Sequence, residues 1–389
     1  MQELIERRLA EQLNSPLART RVMLQSPQGA RICIGGKKYL SFASNDYLGL
    51  ASDSRVVSAL QQGAQRWGAG SGSADLVTGH LQPHNELEQA LAAATGRERA
   101  LLFSSGFQAN LAVISTFATA GDTVLQDRLN HASLLDGCKL SGARLRRYLH
   151  ADTGSLQRLL GKTPGNGIVA TDGVFSMDGT IAPLTEICTL LHQQPGMLLM
   201  VDDAHGFGVL GPQGAGTLSA LGLDARQAPL LMCTLGKALG TSGAFVAGSN
   251  TMIESLLQFA RPYIYSTSSS PAMACASLAS LQIAQQEQWR RDHLQELIAM
   301  FRSGVSALDL QLVPSNTPIQ PVIIGDSRQA VRLSERLRKQ GIWLSAIRPP
   351  TVPRGTARLR VTLSSAHSKD DVRKLVAALA AVLRDSAND

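Results

Sequence analysis

The sequence predicts an α/β protein: a mostly parallel central sheet flanked by helices, with a smaller α+β domain at the C-terminal end. Three observations predict it. Between about residue 100 and residue 250, short apolar runs alternate with longer stretches of helical periodicity, the pattern of repeated β-α-β units. The runs are continuously apolar rather than alternating, as strands covered on both faces of a parallel sheet are. After about residue 270 the chain turns polar-amphipathic before strands return.

The elements follow in order. The opening MQELIERRLAEQLN mixes acids and bases where a signal peptide would be apolar, and reads as an amphipathic helix. Strands are expected at ALLFSS (100–105), DTVLQD (122–127), GIVATD (167–172), MLLMVDD (197–203), PLLMCT (229–234) and GAFVAG (243–248), with helices at 106–118 and 182–194 between them. Residues 280–308 read as one long helix. QPVIIGD, IWLSAI and ARLRVTL then supply strands around a helix at 327–340. Ser368 followed three residues later by Asp371 resembles a capping box, and Val372, Leu375, Val376, Leu379 and Leu383 recur at helical spacing behind it. The expected organisation is an N-terminal segment 1–44, a large domain 45–275 and a C-terminal domain 276–389.

With 44% hydrophobic and 17% charged residues in 389, the chain supports a large core and is not disordered. The net charge of +7 is spread along the chain without a basic arm, and aromatics are only 4%, so nucleic-acid binding is not expected. The excess suits an anionic small molecule. No apolar run is long enough to span a bilayer. Cys33, Cys138, Cys188, Cys233 and Cys275 are odd in number, scattered and without a C-x-x-C, which predicts neither a disulfide framework nor a metal site and points to the cytoplasm.

Three motifs fall at the C-terminal ends of expected strands, where open α/β sheets hold ligands. In MLLMVDDAHGFG, Asp202 and Asp203 close an apolar strand and His205 follows. A strand-end acid is costly without a donor or cation beside it; a helix cap or local ion pair explains it as well as a ligand does. The GFGVLG run (206–211) matches a dinucleotide fingerprint in letters only, because PQGAG follows where a helix must start, and a flexible loop is expected instead. In MCTLGKALG, Thr234 and Lys237 follow a strand, without the glycine and hydroxyl of a phosphate-binding Walker loop. Lys237 is either a solvated charge or, if buried, an amine of lowered pKa fit to be a nucleophile. In LLFSSGFQAN, Ser105, Gly106 and Phe107 join strand to helix, an ordinary tight loop or an anion site. An amine, a strand-end acid and a glycine-led helix start are together the partners that pyridoxal phosphate requires.

The succession SNDYLGL, LFSSGFQAN, DRLNHASLLDG, TDGVFSMDG, VDDAHGFGVLG and TLGKALG resembles the α-oxoamine synthases, a family of fold-type I pyridoxal 5'-phosphate enzymes. The resemblance spans nearly the whole chain. The closing run AIRPPTVPRGTARLRVTLSSAH (346–367) is most similar to the branch that joins L-alanine to a pimeloyl thioester, on CoA or a carrier protein, in biotin biosynthesis. Glycine-using members of the family and aminotransferases are the competing readings, and a catalytically silent relative would be expected to lack Lys237.

The resemblance implies the following roles. Lys237 bonds the cofactor aldehyde and later moves the Cα proton; Asp202 pairs with the ring nitrogen. His205 and Ser176 lie near the ring oxygen, and His131 stacks on the ring face and places the thioester carbonyl. Gly106, Phe107 and Thr234 hold the phosphate. Arg360 binds the amino-acid carboxylate, with Asn45, Arg348 and Arg19 on the substrate side. Ser266 and Thr267 reach the phosphate of a neighbouring subunit, which implies a homodimer with shared active sites. Arg348 and Arg358 read equally well as surface residues, and His84 and His150 carry no motif. Two departures stand out: Ala74 and Asp75 where relatives often have Gly or Arg, and Asp172 where they often have Glu.

Overall fold

In the computed structural model, residues 1–15, 18–163, 165–308 and 310–387 are described. Their strands are β1 (Arg31–Ile34), β2 (Lys37–Ser41), β3 (Arg99–Phe103), β4 (Thr123–Asp127), β5 (Arg144–Tyr148), β6 (Gly167–Asp172) and β7 (Met197–Asp202). The remainder are β8 (Leu230–Thr234), β9 (Ala244–Gly248), β10 (Gln311–Leu312), β11 (Ile319–Gly325), β12 (Ile342–Trp343), β13 (Ser345–Ile347) and β14 (Ala357–Thr362).

Seven of these form the central sheet, in the order β3-β9-β8-β7-β6-β4-β5. Every pairing from β8 to β5 is parallel, and β9 alone runs against its neighbours β8 and β3. Strands β4, β6 and β9 are buried along their whole length, which is why their sequences show no alternation. A four-stranded antiparallel sheet, β10-β11-β14-β13, lies in the C-terminal part. A small third sheet joins the hairpin β1-β2 to β12, so the N-terminal segment pairs with the C-terminal one.

All six expected strands of the large sheet form, within one or two residues. The seventh, β5, was not expected. Its sequence RLRRY carries three arginines, and it lies at the sheet edge, where charge blunts the open side. IWLSAI supplies two strands rather than one, since Leu344 separates β12 from β13 and the two join different sheets. The single helix expected over 280–308 is two, Pro271–Gln286 and Gln288–Ser306. Glu287 between them leaves helical geometry, with φ −93° and ψ 69°, and its carboxylate binds Arg55 and Arg290. The closing helix starts as expected: Ser368 N–H donates to Asp371 Oδ2 at 2.9 Å, and Asp371 N–H to Ser368 Oγ at 3.2 Å. The helix Gln2–Leu13 forms too, but buries none of its residues.

The GFGVLG run is not a loose loop. Residues 204–209 are buried, and a Cβ on Gly206 would overlap the Asp203 carboxylate and the Thr217 hydroxyl. The glycines there make room for a buried acid rather than for motion. Among the described residues no helix is long and apolar enough to cross a membrane.

Candidate active site

The C-terminal ends of β6, β7 and β8 deliver Asp172, Asp202 and Thr234 to one edge of the sheet. A cavity of about 200 Å³ opens there, and the side chains of His131, Ser176, His205 and Lys237 share its wall with those three residues. The helix Gly106–Phe117 points its first turn at the same space. Ser105 caps that helix by accepting from Gln108 N–H at 3.2 Å. The N–H groups of Gly106 and Phe107 find no acceptor among the described residues, as first-turn amides do unless something outside the helix accepts them. A Cβ on Gly106 would make only ordinary contacts, with Met232 at 3.5 Å and Ala244 at 4.0 Å, so packing within the chain does not demand glycine at 106.

Asp202 is 5% exposed. Its Oδ2 accepts from Asn110 Nδ2 at 2.7 Å, and its Oδ1 from Ala204 N–H at 3.1 Å. Asn110 donates its second amide hydrogen to Ser133 Oγ at 2.8 Å. The Ser133 hydroxyl lies 2.7 Å from His131 Nδ1, which also accepts from Ser133 N–H at 3.3 Å. One chain of hydrogen bonds thus runs from Asp202 to His131, and it leaves Nε2 as the protonated nitrogen of a neutral His131 ring. The neighbouring strand holds Asp172 in register with Asp202. Burial and the charge of Asp202 push the Asp172 carboxyl well above the ordinary carboxylate range. Its Oδ1 accepts from His131 N–H at 3.2 Å, so it also fixes the backbone that carries that histidine.

Lys237 Nζ lies 3.0 Å from His205 Nε2, and His205 Nδ1 lies 2.6 Å from the Tyr47 hydroxyl. Burial lowers the Lys237 pKa, opposed by Asp202 and Asp172. Burial first, then Lys237 and Arg360, holds His205 well below its usual value. The bland reading of Lys237 as a solvated charge therefore fails: it is an amine inside a cavity, facing a neutral ring.

Arg360 sits on β14 and reaches the site from the C-terminal sheet. It donates to Ser176 O at 2.7 Å, Thr362 Oγ1 at 2.9 Å and Asn45 Oδ1 at 3.3 Å. All are neutral, so the guanidinium has no carboxylate among the described residues. Two positions along the strand, Arg358 is also buried and pairs with Asp178, which excludes the surface reading of Arg358.

Other expected residues lie elsewhere. Arg19 is exposed, Arg348 is half-buried, and neither lines the cavity. Ser266 and Thr267 line a separate small cleft with Ser104 and Gln108, where Ser266 Oγ accepts from Gln108 Nε2 at 2.7 Å. Asp75 turns toward protein: it accepts from Ser268 Oγ at 2.9 Å and lies 3.5 Å from His80 Nδ1. His84 stands beside this pair but uses both ring nitrogens, on Leu81 N–H and Ser269 O, each at 3.0 Å. His150 binds Asp127 and Thr180 away from the cavity. Tyr47, Asn110 and Ser133 were not expected as site residues, although Tyr47 and Asn110 stand inside the motifs SNDYLGL and LFSSGFQAN.

The arrangement fits pyridoxal phosphate on its own geometry. A buried strand-end acid, an amine beside it and two free amides at a helix start all face one space of small-molecule size.

Comparison with known proteins agrees. The family model for aminotransferase class I and II matches residues 37–379. A curated 8-amino-7-oxononanoate synthase of Pseudomonas putida is 57% identical over 373 residues, 96% of this chain and 95% of that protein. The serine palmitoyltransferase of Sphingomonas wittichii superposes with a TM-score of 0.92 at 30% identity, over 99% of this chain and 97% of that one; a serine palmitoyltransferase has also been solved carrying pyridoxal phosphate. The 8-amino-7-oxononanoate synthase of Francisella tularensis superposes with a TM-score of 0.79 at 32% identity, over 90% of this chain and 99% of that one.

Proposed function

We propose, because the chain belongs to the pyridoxal-phosphate-dependent 8-amino-7-oxononanoate synthase family, that it condenses L-alanine with a pimeloyl thioester to give 8-amino-7-oxononanoate, free thiol and CO2. The observation that supports this most directly is the meeting of Lys237 and Asp202 on one cavity wall, with the Arg360 guanidinium, which has no carboxylate partner among the described residues, close enough to act on the lysine charge and bonded to Ser176 O of the same wall.

Bound pyridoxal phosphate supplies a sink for the electron pair left when the Cα–H bond of the amino acid breaks. The chain's residues do the rest. Gly106 and Phe107 would hold the phosphate with their amides, with Thr234 beside it. Asp202, steadied by Asn110, would hold the ring nitrogen and favour its protonated form. His205 and Ser176 would serve the ring oxygen. Lys237 would hold the aldehyde in the resting enzyme and, as the amine of the site, would take the Cα proton of the amino acid. Arg360, with Asn45 behind it, holds the alanine carboxylate. His131 Nε2–H faces the cavity as a donor for the thioester carbonyl, where negative charge develops as Cα bonds to the carbonyl carbon. The thiolate then leaves, the carboxylate departs as CO2, and a proton returns to Cα.

The same reading includes a cytoplasmic homodimer, with Ser266 and Thr267 serving the partner's phosphate and Arg19 and Arg348 on the substrate side. Exposed Val77, Phe259 and Tyr265, the last adjoining Ser266, support such an interface. The division into 1–44, a cofactor-binding unit 45–275 and a closing unit 276–389 belongs to it too.

The test is thiol release with alanine or glycine against pimeloyl-CoA and its carrier-protein ester. Alanine-dependent release and the eight-carbon amino ketone are expected. Release with glycine alone would place the chain with the glycine-using enzymes, and amino transfer without thiol release would end the proposal.

A further inference from the structure

A second cavity, of about 300 Å³, lies at the opposite edge of the central sheet. Its wall includes Thr95 and Gly96 at the end of the helix Gln82–Thr95, then Arg97, and across from them Ser219, Gly222 and Asp224. Leu231, near the start of β8, forms part of the floor. The catalytic cavity lies past the other ends of β3 and β8, so the two are separated by roughly 16 Å, five residues of strand at about 3.3 Å each.

Arg97 is the unusual member. It is 8% exposed, yet no carboxylate pairs with it among the described residues. Its Nη2 donates to Ala228 O at 2.8 Å. Its Nε is buried without any partner. A guanidinium taken out of water with one neutral acceptor is costly, and burial correspondingly depresses its pKa. The surroundings leave room for a counter-charge. A Cβ on Gly96 or on Gly222 would meet nothing within 4 Å. The Ser219 hydroxyl has no partner among the described residues. The one acid on the wall, Asp224, is already engaged: its carboxylate accepts from the Arg226 side chain at 2.9 Å and from the N–H groups of Arg226 and Gln227.

We propose that this cavity is a binding site for a small oxyanion, a carboxylate or phosphate group of a metabolite-sized ligand, held by the Arg97 guanidinium with Ser219 as a second donor. Protein closes off Nε, so the terminal nitrogens meet the ligand: Nη1, which has no partner among the described residues, and the second hydrogen of Nη2, which together form a planar fork that matches two oxygens of such a group. The site is distinct from the cavity that takes the cofactor phosphate and the substrate carboxylate.

The experiment titrates holoenzyme with inorganic phosphate and, separately, with malonate, by calorimetry and by shift of the unfolding temperature. L-alanine is kept in excess so that Arg360 is occupied, and the cofactor absorbance is followed throughout. Binding of at least one anion is expected, with the cofactor spectrum unchanged. Arg97→Gln should weaken it tenfold or more, since charge-assisted bonds are about twice as strong as neutral ones. Arg97→Lys should keep part of it. Because Arg97→Gln also disturbs the bond to Ala228, two rim variants decide the matter if that protein fails to fold: Ser219→Ala should weaken binding and Asp224→Asn should tighten it. Absence of binding by both anions overturns the proposal. So does binding that Arg97→Gln leaves unchanged, or that neither rim variant moves.

Discussion

The Tyr47 hydroxyl and His205 Nδ1 stand 2.6 Å apart behind the wall of the candidate active-site cavity, the tyrosine fully enclosed by protein and the histidine 6% exposed. Burial pushes the tyrosine up to about 12, so it keeps its proton. That proton has two acceptors, Asn45 Oδ1 at 3.3 Å and His205 Nδ1 at 2.6 Å. When it goes to the nearer one, the neutral His205 ring carries its hydrogen on Nε2, the atom that faces Lys237 Nζ at 3.0 Å. Only an uncharged amine can accept that hydrogen, so in this arrangement Tyr47 favours the reactive form of Lys237 through the imidazole. Tyr47→Phe removes the donor and little else. We expect kcat to fall by roughly tenfold, the equivalent of one net hydrogen bond of about 1.5 kcal/mol, and the alkaline-going limb of the kcat–pH profile to move up. An unaltered pH profile would show that the tyrosine only fills space.

Among the described residues, Lys237 is the one amine that lines the cavity. Lys237→Ala should still bind pyridoxal phosphate through Asp202 and the amides of Gly106 and Phe107. It should no longer be fixed to the cofactor by borohydride, and turnover should drop by about 10²–10⁴-fold or more, the range for a lost proton-transfer group. Peptide mapping after reduction reads the first outcome. A labelled peptide in the variant identical to that of the wild type would remove Lys237 from its role.

Asp203 makes a pH prediction whose sign is fixed. It is 1% exposed, and burial raises its carboxyl from 3.8 to about 7, against the hydrogen bonds from Thr217. A group whose folded pKa is raised contributes its stability below the unfolded value and loses it as pH rises through the folded one. The wild type should therefore lose stability relative to Asp203→Asn as pH climbs from 3.8 toward about 7, and the difference should level off above. His205 and His367, held below their usual values by burial, act in the opposite direction, but they are common to both proteins and cancel. Denaturant unfolding of the pair across this range is the measurement; parallel curves would mean that the native carboxyl of Asp203 is not raised above its unfolded value.

The large sheet was legible because its strands are buried on both sides and therefore write themselves as unbroken apolar runs. RLRRY was not, since its three arginines break the apolar run: Arg144 and Arg147 are exposed, and only Tyr148 is buried. The break at Glu287 was hidden because helical periodicity persists on both sides, and one of the two partners of its carboxylate, Arg55, is far away in sequence. In the site, Lys237, Asp202 and the Gly106 turn were readable from residue type and position after a strand. Tyr47, Asn110 and Ser133 act through other side chains, and nothing local in the sequence records which residue they face. Asp178 is of the same kind: it stands inside the motif TDGVFSMDG, and only in three dimensions is it the partner of Arg358.

That last pair links the two sheets and carries the remaining prediction. Arg358 and Arg360 alternate by two along β14 and so point to the same face. Arg358 binds Asp178 and Met177 O, while Arg360 binds Ser176 O. The turn after β6 is thus tied at two adjacent points to the strand that presents the Arg360 guanidinium. Ser315 Oγ and Thr317 Oγ1 hold its far end by donating to Gly179 O at 2.9 and 3.1 Å. Asp178→Ala leaves a buried cation without its partner, which typically costs about 3–5 kcal/mol. Because the tie also sets the distance between Arg360 and Ser176, KM for the amino acid should rise more than kcat falls. The double variant Asp178→Leu with Arg358→Met removes both charges and should recover most of the stability, since apolar replacement of a buried pair is often neutral, while the raised KM persists. Equilibrium unfolding and steady-state kinetics on the single and double variants separate the two effects. If KM returns to its original value along with stability, the pair supports the fold without placing Arg360.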